Sequence, residues 1–209
     1  MKLYYGVAKG QDDPGHLLVK DLVSPDLFLR DNKNLGACPA VKAARNQTFI
    51  VRCPLDIDLK FYPDHVEHSE RLTPEAYDHF ILIDEYGFQI KTDYMFWTDS
   101  KNPNIQLWVH DIPSFMMERY EPWYVPHAML PSNVLNRNIQ IPIQLREGQS
   151  MVRLYENQPL MAITVISDQK IALARCSVPE DVRLDSLRRT KAAKLCPYTY
   201  AKKLFSKFN

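Results

Sequence analysis

The stretch NIQIPIQLR, residues 138–146, indicates the fold most clearly. Its apolar side chains recur at every second position, which is the period of a strand with one buried face and one wet face. Proline has no amide hydrogen for a ladder bond, so Pro142 predicts a sheet edge or a bulge at that point. Residues 56–62 alternate in the same way, with Ile57, Leu59 and Phe61 on one face.

Several shorter segments also have the composition of strands. They are residues 3–7, 48–53, 79–83, 88–91, 105–110, 115–119, 151–155, 160–166 and 171–176. About ten short strands at this spacing favour a sandwich or barrel over alternating strand–helix units. We therefore expect residues 1–177 to form one mainly β domain, a jelly-roll or double-stranded β-helix-like sandwich. Brief helical turns are expected after Ser24 and Thr73, where a capping hydroxyl precedes a proline, and at residues 39–45.

The C-terminal part of the chain differs in charge from the rest. Residues 178–209 hold eight basic and three acidic side chains, a net charge of +5 in a chain whose total is +1, so residues 1–177 carry −4. Ser177 and Glu180 have the spacing of a capping box and predict a helix to about residue 195. Its irregular apolar stripe is formed by Val182, Leu184, Leu187 and Leu195.

We expect this basic helical extension to contact a partner. The predicted binding residues are Arg188, Arg189, Lys191, Lys202 and Lys203. An acidic protein partner or a neighbouring subunit ranks first, because the acidic body would oppose a long polyanion. Nucleic acid is the alternative, since a group of Lys and Arg side chains contacts phosphates well.

Aromatic side chains are concentrated in residues 94–124, which hold eight of the 23 in the chain. The segment EPWYVP, residues 121–126, has too many aromatics and prolines for a plain strand. Trp123 and Tyr124 are therefore predicted to anchor an interface or to line a pocket, because such side chains suit a surface that is partly apolar and partly wet. Packing in the core is the other interpretation of both residues.

The characteristic motifs of several protein classes are absent from this sequence. The sequence contains neither GxGxxG, GxxxxGK[ST] nor GxSxG, and its four cysteines form no CxxC pair. The longest apolar stretch, residues 159–166, is too short for a bilayer span, and the first residues turn polar too soon for a secretory signal. We expect no membrane partner and a location in the cytoplasm of a host cell or in a virion.

One enzymatic alternative remains open. His65 and Glu67 have the His-x-acid spacing of iron(II) oxygenases, in which a distant histidine, here His127, completes the ligand set. Arg137 would hold the carboxylate of a 2-oxoglutarate co-substrate on a double-stranded β-helix. The position of residues 64–70 in a charged loop argues instead for a solvated linker, with no metal and no cofactor.

Five short motifs also support a family resemblance: NLGACPA at 34–40, EPWYVP at 121–126, LNR at 135–137, IPI at 141–143 and QPLMAI at 158–163. On these motifs the chain resembles an uncharacterised β-rich family of bacteria and tailed phages, and it is similar to small proteins of marine cyanobacterial phages. The resemblance implies a jelly-roll-like fold over residues 34–176 and a phage source, and it implies no activity. A non-enzymatic binding or assembly protein is the expected function, with the oxygenase as its alternative.

Overall fold

The computed structural model describes residues 2–7, 20–25, 46–84, 87–99, 104–112, 121–131 and 138–195. Thirteen strands and two helices lie in these ranges. They are β1 (Lys2–Val7), β2 (Thr48–Arg52), β3 (Ile57–Phe61), β4 (Val66–His68), α1 (Pro74–Phe80), β5 (Ile81–Asp84), β6 (Gly87–Trp97), β7 (Gln106–His110), β8 (Trp123–Tyr124), β9 (Ala128–Pro131), β10 (Asn138–Leu145), β11 (Met151–Leu154), β12 (Pro159–Ile166), β13 (Ala172–Arg175) and α2 (Glu180–Leu195).

The largest sheet is built around β6, the longest strand described. Its order is β13-β1-β6-β10-β8, and β5 also pairs with β6. Only β13 and β1 run parallel; the other neighbours are antiparallel. The alternation predicted for residues 138–146 is confirmed, since Ile141 and Ile143 are fully buried and Gln140 is exposed. The register shifts between Ile139 and Ile141, immediately before Pro142.

Two smaller sheets make up the rest of the described β structure, with orders β11-β3-β4 and β2-β12-β7-β9. One hydrophobic cluster takes residues from all three sheets, among them Phe88 of β6, Leu59 of β3 and Ile163 of β12. The mainly β prediction, with several sheets and few helices, is therefore confirmed. This shared core leaves the opposite face of each sheet to be covered by other parts of the chain or by solvent.

The helices agree with their sequence signals where they are described. Thr73 caps α1, its hydroxyl accepting a hydrogen bond from the amide of Ala76 at 3.3 Å, and Pro74 takes the first helical position. The turn expected after Ser24 is described only to Pro25, and the turn at 39–45 and the strand at 115–119 lie outside the described residues.

Helix α2 begins at Glu180 and packs on the body. Val178, just before it, and Val182 contact Met95 and Trp97 on the face of β6 that points away from the shared core. The helix predicted from the capping spacing is thus confirmed to residue 195, and its start contributes apolar cover to the large sheet. The part of the chain that the structure describes contains no helix long and apolar enough to cross a membrane.

Candidate functional site

Trp123 and Tyr124 form β8, at the edge of the large sheet beside β10. Because consecutive strand residues point to opposite faces, the two side chains have different surroundings. Trp123 is 1% exposed and belongs to the core cluster. This burial favours core packing, the second interpretation of Trp123, over the predicted interface anchor.

Tyr124 is half-buried and held by polar contacts. Its hydroxyl lies 2.6 Å from Gln144 Oε1, and the Arg146 guanidinium lies over its ring at 5.3 Å. Arg146 also donates from Nε to the carbonyl oxygen of Glu121 at 3.1 Å and lies 3.6 Å from Asp111 Oδ2. These contacts fasten residues 121–124 to β10 and to the end of β7, so Tyr124 belongs to a structural clamp.

The basic residues predicted to bind a partner are only partly described. Arg188 lies on α2 with an exposed side chain. Arg189 and Lys191 are also on α2, but their side chains are outside the described part of the structure, as are Lys202 and Lys203 altogether. The apolar residues predicted to form one stripe on α2 have different surroundings. Val182 packs on the β domain, whereas Leu184 and Leu187 are exposed to solvent.

The three predicted metal ligands are not brought together as a set. His65 and Glu67 are neighbours, with 3.6 Å between Nε2 and Oε1, and His65 Nδ1 lies 2.8 Å from Asp64 Oδ1. His127 instead precedes β9, in another sheet. No group of three His, Cys, Asp or Glu side chains among the described residues could hold a metal ion, and Arg137 lies outside them. The oxygenase stays a prediction with no ligand geometry to support it.

A different group of side chains stands out on the four-stranded sheet β2-β12-β7-β9. The face of this sheet that points away from the shared core is called the outer face here. Its register aligns Thr48, Thr164, Trp108 and Met129 in one row across the four strands. The next row aligns Ile50, Ala162 and His110.

Hydrogen bonds connect three outer-face side chains in a defined direction. His110 Nδ1 lies 2.8 Å from the carbonyl oxygen of Asp111, which can only accept, so Nδ1 carries the proton. In the neutral ring Nε2 is then an acceptor, and the Thr164 hydroxyl, 3.0 Å away, donates to it. The Thr48 hydroxyl, 2.7 Å from the Thr164 oxygen, must therefore donate to Thr164.

The surroundings of His110 favour this neutral ring. Burial lowers the pKa of His110 below its ordinary value of 6.5, and the nearby His127 lowers it further, whereas the hydrogen bond to Asp111 and the charge of that residue oppose the shift. The β12 and β2 neighbours contribute hydroxyl groups, Thr164 and Thr48, instead of charges. His110 therefore acts as a hydrogen-bond acceptor at neutral pH.

Aromatic rings lie directly beside this chain of hydrogen bonds. The rings of Trp108 and His110 are 4.3 Å apart, and His127 meets both edge-on at 6.1 and 6.2 Å. A threonine hydroxyl that donates to imidazole is also the first contact of a nucleophile–base pair. Here the Thr164 hydroxyl is hydrogen-bonded to two neighbours within the sheet, Thr48 and His110. We therefore interpret these hydrogen bonds as a brace that holds the aromatic and imidazole rings in place.

Sequence reasoning missed this group although its signal was present. Leu107 and Val109 alternate with Trp108 and His110 along β7, which predicts that the second pair shares the face opposite the core. Trp108 is 37% exposed, Met129 49% and Ile166 41%. These three side chains, together with Gln106 and Thr164 between them, are called the outer patch.

Comparisons with known proteins identify no family. No protein-family model matches the chain, and no curated protein matches it. A solved structure of a native dUTPase of EIAV is similar with a TM-score of 0.39 and 14% identity, over 86% of this chain and 98% of that chain. Because the TM-score is this low, the likeness carries no conclusion about the function of this chain.

Proposed function

We propose that the chain is a non-enzymatic binding or assembly protein that takes a protein partner on its outer patch. The observation that carries this proposal is the exposed Trp108 within a braced group of aromatic and imidazole rings. Because of the resemblance to phage proteins, we place this activity in the cytoplasm of an infected host cell or in the virion. A phage-type jelly-roll connectivity is part of the same proposal.

The chemistry of the outer patch supports the binding function. Tryptophan contributes a large apolar surface and a polar N–H at little entropic cost, which is why it is enriched at the energetic centres of interfaces. The hydrogen bonds from Thr48 and Thr164 hold His110, whose ring packs on Trp108. A side chain that is already held in place loses less freedom when a partner docks on it.

The exposed side of α2 supports a second contact. Leu184 is 41% exposed and Leu187 47%, and the two lie three residues apart on one side of the helix. The exposed Arg188 directly follows Leu187. An apolar pair beside a cation suits an acidic protein groove better than nucleic acid, which offers little apolar surface to leucine.

Position-specific photo-crosslinking tests this proposal. A photo-reactive phenylalanine derivative at position 108 of the full chain should give a protein adduct in extract of the infected host that has been treated with nuclease. The same derivative at position 151 is the control, because Met151 is 48% exposed on β11, in another sheet. A second probe at position 187 examines the contact by α2.

The outcomes separate the alternatives. An adduct at position 108 and none at position 151 supports the proposal. If the probe at position 187 forms an adduct in untreated extract but not in nuclease-treated extract, the contact of α2 is with nucleic acid. Equal adducts at 108 and 151, or none at either, would contradict binding through the outer patch.

A further inference from the structure

Residues 20–23, called the strap here, lie across the large sheet and the four-stranded sheet. The start of the strap is fastened to the large sheet by two tyrosine hydroxyls. Tyr94 of β6 donates to the carbonyl oxygen of Lys20 at 2.6 Å, and Tyr5 of β1 accepts from the amide of Leu22 at 3.3 Å. Both contacts are made by the backbone of the strap and therefore do not depend on its side chains.

The end of the strap covers part of the outer face. Val23 exchanges two backbone hydrogen bonds with Ile50 of β2, at 3.2 and 2.9 Å, and packs on Ile50, Ala162 and Ile112. These three side chains are buried, with exposures of 0%, 0% and 4%. Ile50 and Ala162 are aligned in the row of the sheet beside that of Trp108. The apolar surface under the strap is thus continuous with the outer patch.

Two ion pairs hold the strap by its charged side chains. Lys20 pairs with Glu156, in the turn between β11 and β12, and the next residue, Asp21, pairs with Arg175 of β13. The side chains of Glu156, Asp21 and Arg175 are 45–61% exposed. Dissolved salt therefore screens both pairs, as it does other ion pairs near the surface.

The strap has little apolar surface of its own that would keep it in place. None of its four residues is fully buried, and its two apolar side chains, Leu22 and Val23, are only half-buried. A segment with few buried apolar contacts opens at a lower free energy than the core, and it does so without unfolding of the sheets beneath it. The ion pairs consequently have a large share in holding the strap closed.

We propose that the strap is a releasable cover that regulates the outer patch. When it detaches, Ile50, Ala162 and Ile112 join the outer patch and enlarge the apolar surface on which the protein partner docks. The two ion pairs set the fraction of molecules in which the strap is detached, so partner binding responds to ionic strength. This inference rests on the proposed function and adds the regulation of that site.

Charge reversal within one ion pair tests the cover. Lys20→Glu and Glu156→Lys each bring like charges together, whereas the double variant restores an opposite pair. Amide hydrogen exchange, followed by NMR, should be about 5-fold faster at Ile50 in each single variant and should return to its original rate in the double variant. Exchange should not change at Val165, whose amide is hydrogen-bonded in the same sheet away from the strap.

Salt and a matched ion pair serve as controls. Sodium chloride at about 0.5 M should speed exchange at Ile50 in the unchanged chain and narrow its difference from the single variants, because salt screens attraction and repulsion alike. Arg153→Glu reverses a charge in the Arg153–Asp58 pair on the three-stranded sheet. The exposures in that pair are 51% and 21%, against 49% and 23% for Glu156 and Lys20, and exchange at Ile50 should not change.

Partner binding is the second measurement. If the partner docks on the uncovered face, its apparent affinity rises with the fraction of molecules in which the strap is detached. The yield of the photo-crosslinked adduct at position 108 should therefore rise in each single variant and return to its original level in the double variant.

Unchanged exchange at Ile50 in both single variants would overturn the inference, and so would a double variant that exchanges as fast as the single ones. If exchange at Ile50 changes as expected but the adduct yield at position 108 does not follow it, the regulation is refuted and the proposed function stands. If no variant forms the adduct, both are refuted.

Discussion

Replacing Thr164 by valine tests the directed hydrogen bonds of the outer face. Valine has nearly the shape of threonine, so the substitution removes a hydroxyl with little change in packing. It removes the donor to Nε2 of the buried His110 and the acceptor for the Thr48 hydroxyl. Leaving a buried acceptor without a partner costs about 1–3 kcal/mol, and the second lost hydrogen bond adds about 1 kcal/mol.

We therefore expect Thr164→Val to lower the free energy of unfolding by about 2–4 kcal/mol, measured by urea denaturation at pH 7.5 with an unchanged m-value. Thr164→Ser is the matched control, because it keeps the hydroxyl and loses only a methyl group. In NMR titration the valine variant should raise the pKa of His110, since the lost donor stabilised the neutral ring.

A double-variant cycle examines the link to Thr48. The Thr48–Thr164 hydrogen bond is lost only once when both residues become valine. The double variant should therefore be more stable than the sum of the two single effects predicts, by about 1 kcal/mol. The stabilising contribution of these hydrogen bonds is refuted if Thr164→Val lies within about 0.5 kcal/mol of the unchanged chain, which is the size of an ordinary surface substitution.

Three further expectations concern pH, backbone approach and thiol reactivity. Burial lowers the pKa of His110 in the folded state, so the unfolded state binds the proton more tightly. The free energy of unfolding should therefore fall as the pH drops below 6.5. His110→Gln should reduce this dependence of the free energy of unfolding on pH. Gly87→Ala should lower the free energy of unfolding by more than about 3 kcal/mol, because a Cβ there would lie 2.1 Å from the carbonyl oxygen of Ile143. Gly148→Ala is the control: its φ is +75° but the space around it is open, so the loss in thermal or urea unfolding should be about 1–2 kcal/mol. Burial raises the pKa of the Cys53 thiol to about 12, so peptide mapping after brief iodoacetamide treatment should find far less label on Cys53 than on the exposed Cys176, and equal labelling would contradict that burial.

The first residues of the predicted extension, 178–209, pack on the β domain. Val178 and Val182 cover Trp97 and Met95, so a chain ending at residue 177 would expose these side chains. A chain ending after Ser186, which is itself buried, keeps this cover while it removes most of the basic residues. The shorter deletion is therefore the suitable variant for measuring what the basic residues contribute to binding.

The sequence by itself determined where most described strands lie and which side chains share a face. The alternation in residues 138–146 and the capping signal at Thr73 each depend on neighbours in the chain, and both are confirmed. The same local signals placed a helix after Ser177. They work because a strand repeats every two residues and a helix start needs a polar partner for its free amides.

Only the tertiary structure decided which faces are covered. The period of two separates Trp123 from Tyr124 and Trp108 from Leu107, but it does not say which member of each pair meets another sheet. The packing of three sheets on one core buries Trp123, and Val23 packs on Ile50 and Ala162 of the outer face, whereas Trp108 on that face is 37% exposed. Burial is a property of contacts between residues distant in sequence, and for that reason the exposed tryptophan lies at position 108 and not at 123.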